Sequence, residues 1–333
     1  MKSSNKLLVL LVFVFVALLP VSGYSAMEQD ANDPLSYWNC RDAKKAIISY
    51  VTAVTSPCSK SYIPQEDRLA TFDMDGTVTC EKPTSLEMVI AIDQMKKIAD
   101  ESPAARANQP YKAAYENDTD FLRNNFLLSL YTPFTGWEVS DFQAHVSEFM
   151  KTSQHPRFKT TYNELFYLPM LQLIDYLKTN GFTVYVVSGS SLLVVRAACN
   201  TGFQQDPAHC IGTVSATTVV DYTDAGPEMV IRGFSYDPVD LQDGKVQNIF
   251  NKLGRFPVLA FGNTAGDFEM LKSTYSKKYR HLALLLNHDD AKREYSYPDD
   301  TKRAAWLNTA KEQGWQVVSM RDDFKALFPI KAD

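Results

Sequence analysis

The segment Phe72-Asp73-Met74-Asp75-Gly76-Thr77 sets two carboxylates two residues apart at the end of an apolar run. In extended backbone, residues two apart share a side, so Asp73 and Asp75 reach one site while Phe72 and Met74 face the core. Two carboxylates held close repel, and a metal ion, a lysine or a shared proton must neutralise them. Gly76 lets the chain turn sharply, and Thr77 adds a hydroxyl and a backbone N–H. A calcium loop of the EF-hand type needs Gly at its sixth position and Glu at its twelfth. Counted from Asp73, those positions hold Val78 and Thr84, so that reading fails. A plain acidic turn after a strand remains the bland alternative, because turns favour Asp and Gly.

Three more segments carry candidate chemistry. In Val187-Ser188-Gly189-Ser190, a hydroxyl beside exposed N–H groups at a helix start is an anion site. The same residues also suit an ordinary helix cap. Lys245, in Asp243-Gly244-Lys245-Val246, sits at a helix start, where a cation opposes the dipole unless an anion lies nearby. Standing alone it would read as a solvated surface lysine. Ala260-Phe261-Gly262-Asn263-Thr264-Ala265-Gly266-Asp267 places oxygen ligands at a strand-to-helix turn, or again a capped helix.

Each of these segments follows a short apolar run, and those runs define the fold. Strands are predicted at 68–73, 182–187, 257–261, 281–286 and 315–320, separated by helical patterns at 165–178 and 244–253. A helix is also expected within 34–55, ended by Ser56-Pro57, and a hairpin within 211–236 around Asp224-Ala225-Gly226-Pro227. Alternating apolar strands and helices indicate an α/β fold, a doubly wound parallel sheet covered on both faces. Residues from Ser85 to about Met150 are helical in pattern, broken at Pro103, Pro110 and Pro133, and too long for a simple crossover. They read as an inserted helical cap. The expected layout is a signal peptide over 1–25, a core of 26–82 and 166–333, and a cap of 83–165.

The order of the four motifs resembles the haloacid dehalogenase (HAD) superfamily, whose core is of the Rossmann type. The resemblance spans about 70–271. The stretches Asp75–Pro83, His155-Pro156-Arg157-Phe158, Ala260–Leu271 and Leu282–Tyr295 are similar to a secreted bacterial branch labelled haloacid dehalogenase-like or phosphoserine-phosphatase-like. The resemblance implies a magnesium-dependent phosphatase acting on a small phosphorylated substrate through an aspartyl-phosphate. Asp73 is then the nucleophile and Asp75 the general acid and base. Thr77, Ser188, Gly189, Lys245 and Glu81 contact substrate. Asp73, Asp75, Asn263 and Asp267 are the metal candidates, with Asp267 either ligating or orienting Lys245. The acid at Asp75 argues against the dehalogenases of the superfamily. The commoner pattern has Asp where this chain has Asn263, which implies a weaker metal site. A non-catalytic phospho-ligand-binding protein and a phosphotransferase are the rival functions.

The remaining features place the protein. Lys2 and Lys6 precede the apolar run Leu7–Leu19 and a small-residue stretch, the pattern of a secretory signal. Thirteen helical residues rise about 20 Å, short of a hydrocarbon core of roughly 30 Å. A periplasmic or secreted protein without a stable membrane anchor is expected. The 333 residues carry a net charge of −5, which argues against a general nucleic-acid partner. Of five cysteines, Cys40 with Cys58 and Cys199 with Cys210 are spaced for local disulfides or stand as reduced thiols. Cys80 belongs to the branch's motif. The histidines show no zinc spacing, and Glu81, Arg157 and Tyr162 are either substrate contacts or cap packing.

Overall fold

The computed structural model describes residues 33–234 and 238–329. The expected leader over 1–25 lies outside the described residues. Six strands build one sheet in the order β3-β2-β1-β6-β7-β8. They are β1 (Leu69–Asp73), β2 (Thr183–Ser191), β3 (Cys210–Thr213), β6 (Leu259–Gly262), β7 (Leu282–Asn287) and β8 (Gln316–Ser319). Every neighbouring pair runs parallel. β4 (Ser215–Thr223) and β5 (Gly226–Phe234) form a separate antiparallel hairpin.

The strands are continuous apolar runs because both faces are covered, and the period of two divides each run between two cores. Val184, Val186, Phe261, Leu284 and Leu286 pack into one core, while Val187, Ala260, Ala283 and Leu285 pack into the other. Helices α1 (Asp42–Thr55), α8 (Leu168–Thr179) and α9 (Leu192–Phe203) cover the first face through Ile47, Leu171 and Val194. Helices α10 (Asp243–Leu253), α11 (Phe268–Lys272) and α12 (Thr301–Glu312) cover the second through Ile249, Met270 and Ala310. The doubly wound α/β sheet expected from the sequence is therefore the observed one.

Between β1 and β2 the chain forms α2 (Leu86–Glu101), α3 (Pro103–Arg106), α4 (Tyr111–Glu116), α5 (Thr119–Asn124), α6 (Phe126–Tyr131) and α7 (Val139–Thr152). Pro103 occupies the first position of α3, where its missing N–H costs nothing. The β4–β5 hairpin joins this helical segment instead of the sheet. Gly136 N–H donates to the Ile231 carbonyl at 2.8 Å, and Ile231 N–H donates to that of Trp137 at 2.9 Å.

Two expectations change. The first helix begins at Asp42, because Trp38 is pinned outside it: its indole N–H donates to the Pro169 carbonyl at 2.9 Å, and its ring meets Phe324 edge-on. No disulfide forms, and all five cysteines are free thiols. Cys199 and Cys210 do lie against each other.

Candidate active site

The strand order reverses between β1 and β6, which opens a crevice at the carboxyl ends of β1, β2 and β6. All four motifs meet there. After β1 the loop folds back on itself, with the N–H groups of Thr77, Val78 and Thr79 all directed at the Met74 carbonyl. Gly76 has φ +77°, and a Cβ there would lie 2.0 Å from Asn263 Nδ2 and 2.9 Å from Glu81 Cδ. Glycine is required both by the left-handed backbone and by this close approach.

Asp73 ends β1 and is buried, and Lys245 reaches it from the first turn of α10. The ammonium lies 2.5 Å from Asp73 Oδ1, 2.7 Å from Asp267 Oδ1 and 3.1 Å from the Val187 carbonyl. Burial works against the lysine's charge, but the Asp267 and Asp73 carboxylates outweigh it and hold the group protonated. One ammonium faces two carboxylates. Burial and the charge of Asp267 consequently push Asp73 well above the usual carboxylate range, against the pull of Lys245. All three Lys245 donors are occupied, and they place the ammonium directly beside Asp73.

Asp267 was expected either to bind the metal or to orient Lys245, and both of its oxygens are engaged by the protein. Oδ1 holds Lys245, while Oδ2 accepts from the backbone N–H groups of Asn263 and Thr264, each at 3.0 Å. It orients the lysine and closes the turn. A Cβ on Gly262 would sit 2.4 Å from Asp267 Cβ, so glycine before Asn263 is what admits this carboxylate.

Asp75 is arranged differently. Its Oδ2 accepts hydroxyl protons from Ser188 at 3.0 Å and Ser190 at 3.1 Å. Its Oδ1 is sealed from solvent with no hydrogen-bond partner. Burial first, and the Glu81 charge second, raise its carboxyl above the ordinary range, against the two serines. Ser190 is a residue the sequence reading misses, although its spacing of two from Ser188 in an extended run is the available signal. Gly189 lies under the loop carrying Leu241, whose Cδ2 would be 2.6 Å from an added Cβ.

Asp73 Oδ2 and Asn263 Oδ1 converge on the Thr77 hydroxyl, at 3.1 and 3.2 Å. One hydroxyl proton satisfies only one of them. The crowding of oxygen acceptors suits a hard cation, with the Asp75 carbonyl as the third expected donor. Among the described residues, no cluster of three His, Cys, Asp or Glu side chains has metal-holding geometry.

Further groups complete the site: Tyr297 and Glu87, which had no sequence signal, and the His288–Glu294 pair, which lies in the Leu282–Tyr295 stretch but was not singled out. Tyr297, buried, accepts from Asn263 Nδ2 and donates to Glu81 Oε1 at 2.6 Å. His288 Nε2 lies 2.6 Å from the Gly76 carbonyl, and its Nδ1 lies 3.2 Å from the buried Glu294. Glu294 also accepts from Cys80 and Tyr167, each at 3.0 Å. Glu87 of α2 is buried and accepts from the Ser191 N–H, with Oε2 at 3.1 Å. Burial, then the Asp75 charge, raises its carboxyl to about 7 against the Ser191 hydrogen bonds. Arg157 donates to the Ala291 carbonyl and so ties the insert to the core, whereas Tyr162 packs on Phe149 and His155 within the insert.

Residues 70–272 match the family model described as haloacid dehalogenase-like hydrolase. No curated protein sequence is significantly similar to the chain. A conserved, functionally unknown protein from Anaerococcus prevotii is a structural likeness at 18% identity and a TM-score of 0.51, covering 83% of this chain and 91% of that one. A protein of unknown function from Bordetella pertussis gives 18% identity and a TM-score of 0.47 over 75% and 97%. A phosphoserine phosphohydrolase-like protein from Francisella tularensis gives 14% identity and a TM-score of 0.36 over 72% and 99%.

Proposed function

Because the chain belongs to the haloacid dehalogenase-like hydrolases, we propose that it is an exported, magnesium-dependent phosphatase hydrolysing phosphate monoesters through an aspartyl-phosphate on Asp73. In the first half-reaction the Asp73 carboxylate forms a bond to phosphorus as the ester O–P bond breaks. Asp75 gives its proton to the departing alcohol oxygen. In the second half, the Asp75 carboxylate takes a proton from water as that water attacks phosphorus, and Asp73 is released with inorganic phosphate. Lys245 offsets negative charge beside the nucleophile throughout. Asp73, the Asp75 carbonyl and Asn263 would hold magnesium, which would supply the positive charge that lets an anionic ester approach a carboxylate.

The observation that carries this reading is the asymmetry of Asp75. Two serine hydroxyls engage Oδ2 and leave Oδ1 as the oxygen without a partner, open to exchange a proton with substrate or water. Burial raises the Asp75 carboxyl above its ordinary range, which favours the acid role. The insert of residues 83–165, with the β4–β5 hairpin, is the cap in this reading, supported by Glu87 reaching from α2 to Ser191 beside the site. Lys2, Lys6 and the apolar run that follows support export.

The test is p-nitrophenyl phosphate hydrolysis by the chain lacking its leader, with and without magnesium, beside Asp73→Asn and Asp75→Asn. Magnesium-dependent release is expected, abolished in Asp73→Asn and lowered about 10²–10⁴-fold in Asp75→Asn. A fully active Asp73→Asn protein would overturn the mechanism. Recovery of the full-length chain in the cytoplasmic fraction would overturn export.

A further inference from the structure

Asn263 presents a problem that an aspartate does not have. A carboxylate offers oxygen whichever way it turns, whereas an amide offers oxygen on one side and N–H donors on the other. The neighbouring carboxylate, Asp73, attracts an N–H donor, and that charge-assisted bond would turn the amide nitrogen toward the expected cation position. The structure shows the opposite orientation, with Oδ1 beside Thr77 and Asp73 Oδ2, and Nδ2 facing away.

The cause lies in the loop after β7. Tyr297 has one hydroxyl proton, and Glu81 Oε1 takes it at 2.6 Å. The phenol oxygen is left as an acceptor, and Asn263 Nδ2 is the donor that fills it. The ring cannot swing away, because it stacks on His288 with centroids 4.3 Å apart and planes at 15°. His288 is itself held at the Gly76 carbonyl. Lys82 also lies 3.6 Å from Glu81 Oε1. The direction of every hydrogen bond from Glu81 to Asn263 is thus fixed by the one group in the series that can only accept.

We infer that Glu81 and Tyr297 are positioning residues that set the amide of Asn263 with its oxygen toward the cation. The inference rests on the magnesium-dependent reading proposed above. An Asn at this place needs such a polar brace, and an Asp does not.

The test is Mn²⁺ binding to the leaderless protein, read as loss of the free-ion signal by electron paramagnetic resonance. It is run on wild type, Tyr297→Phe, Asn263→Asp and the double variant, with unfolding midpoints measured in chelator. Without the phenol oxygen the amide flips toward Asp73, and the competent fraction falls by about tenfold or more. Tyr297→Phe is expected to weaken Mn²⁺ binding by that factor in the Asn263 protein, and by less than about threefold in the Asn263→Asp protein. Glu81→Gln, whose amide oxygen still accepts the phenol proton, is expected to fall between them. Equal affinity of wild type and Tyr297→Phe would overturn the inference, and so would an equal loss in both backgrounds. Metal-dependent hydrolysis by wild type in either case leaves the phosphatase standing. A wild type that hydrolyses phosphate esters but binds no Mn²⁺ would overturn both the inference and the metal requirement.

Discussion

Replacing Lys245 by Met is the sharpest perturbation of this site. The side chain is 1% exposed and stands between two buried carboxylates, Asp73 and Asp267. Met fills similar volume, so the change removes a charge and little packing. Breaking a buried ion pair by taking one partner costs about 3–5 kcal/mol, because the other charge is left uncompensated. At about 2–4 °C per kcal/mol for a chain above 150 residues, the unfolding midpoint should fall by roughly 10 °C.

The sign of the pH dependence separates this cause from lost packing. Without the lysine, nothing opposes the burial and the Asp267 charge that already push Asp73 up. The penalty at Asp73 is absent below the unfolded value near 3.9 and grows as pH rises toward the folded value. It amounts to about 1.4 kcal/mol per pH unit in that window. Urea unfolding at pH 8 and pH 5 should therefore show the gap between Lys245→Met and wild type narrowing on acidification. Adding Asp267→Asn should restore more than about 1 kcal/mol at pH 8, since it removes one of the stranded charges. A loss below about 1 kcal/mol, or one equal at both pH values, would refute the argument.

Two other substitutions probe the surroundings. Glu87 has its carboxyl raised to about 7 by burial and by Asp75, so its destabilising charge is absent below the unfolded value near 4.5 and full above 7. Glu87→Gln should be more stable than wild type at pH 8, by at most about 3 kcal/mol, and equal to it near pH 4, as followed by thermal unfolding. Gly76→Ala meets both a left-handed backbone and Asn263 Nδ2 at 2.0 Å. It should cost about 1–3 kcal/mol and abolish p-nitrophenyl phosphate turnover, checked by unfolding and by initial rates.

What was legible in the sequence was local. Asp73 and Asp75 share a site because an extended chain repeats every two residues. The apolar runs that approach Asp73, Ser188 and Asn263 mark strands whose carboxyl ends meet in any doubly wound sheet. Asp267 was visible as a candidate, but spacing alone did not separate ligation from orienting Lys245. The contacts to Lys245 and to the N–H groups of the Asn263–Thr264 turn come from the fold and not from the spacing. Tyr297 stayed hidden because its bond to Asn263 crosses 34 residues and comes from a loop with no periodic pattern. Glu87 stayed hidden for a related reason: on α2 it reads as a polar residue in the first turn, a common preference at helix starts. The hairpin was legible as an element, yet its attachment to the helical insert depends on backbone bonds at Gly136 and Trp137 that no side-chain pattern encodes.

The charge count around Asp73 gives Asn263 a physical rationale. Asp73 and Asp267 face Lys245 alone, and Glu81 adds a further negative charge that already raises Asp75. An aspartate at 263 would put one more buried carboxylate against the same single lysine, at the cost of several kcal/mol whenever no divalent cation is bound. An amide keeps an oxygen donor and avoids that burden. It gives up the Coulombic attraction of a charged ligand and requires an outside group to choose its orientation. Tyr297, fixed in its donor direction by Glu81, meets that requirement. On the magnesium-dependent reading, the neutral amide and its polar brace would answer one problem: a cation site inside a sheet crevice that must fold before its cation arrives.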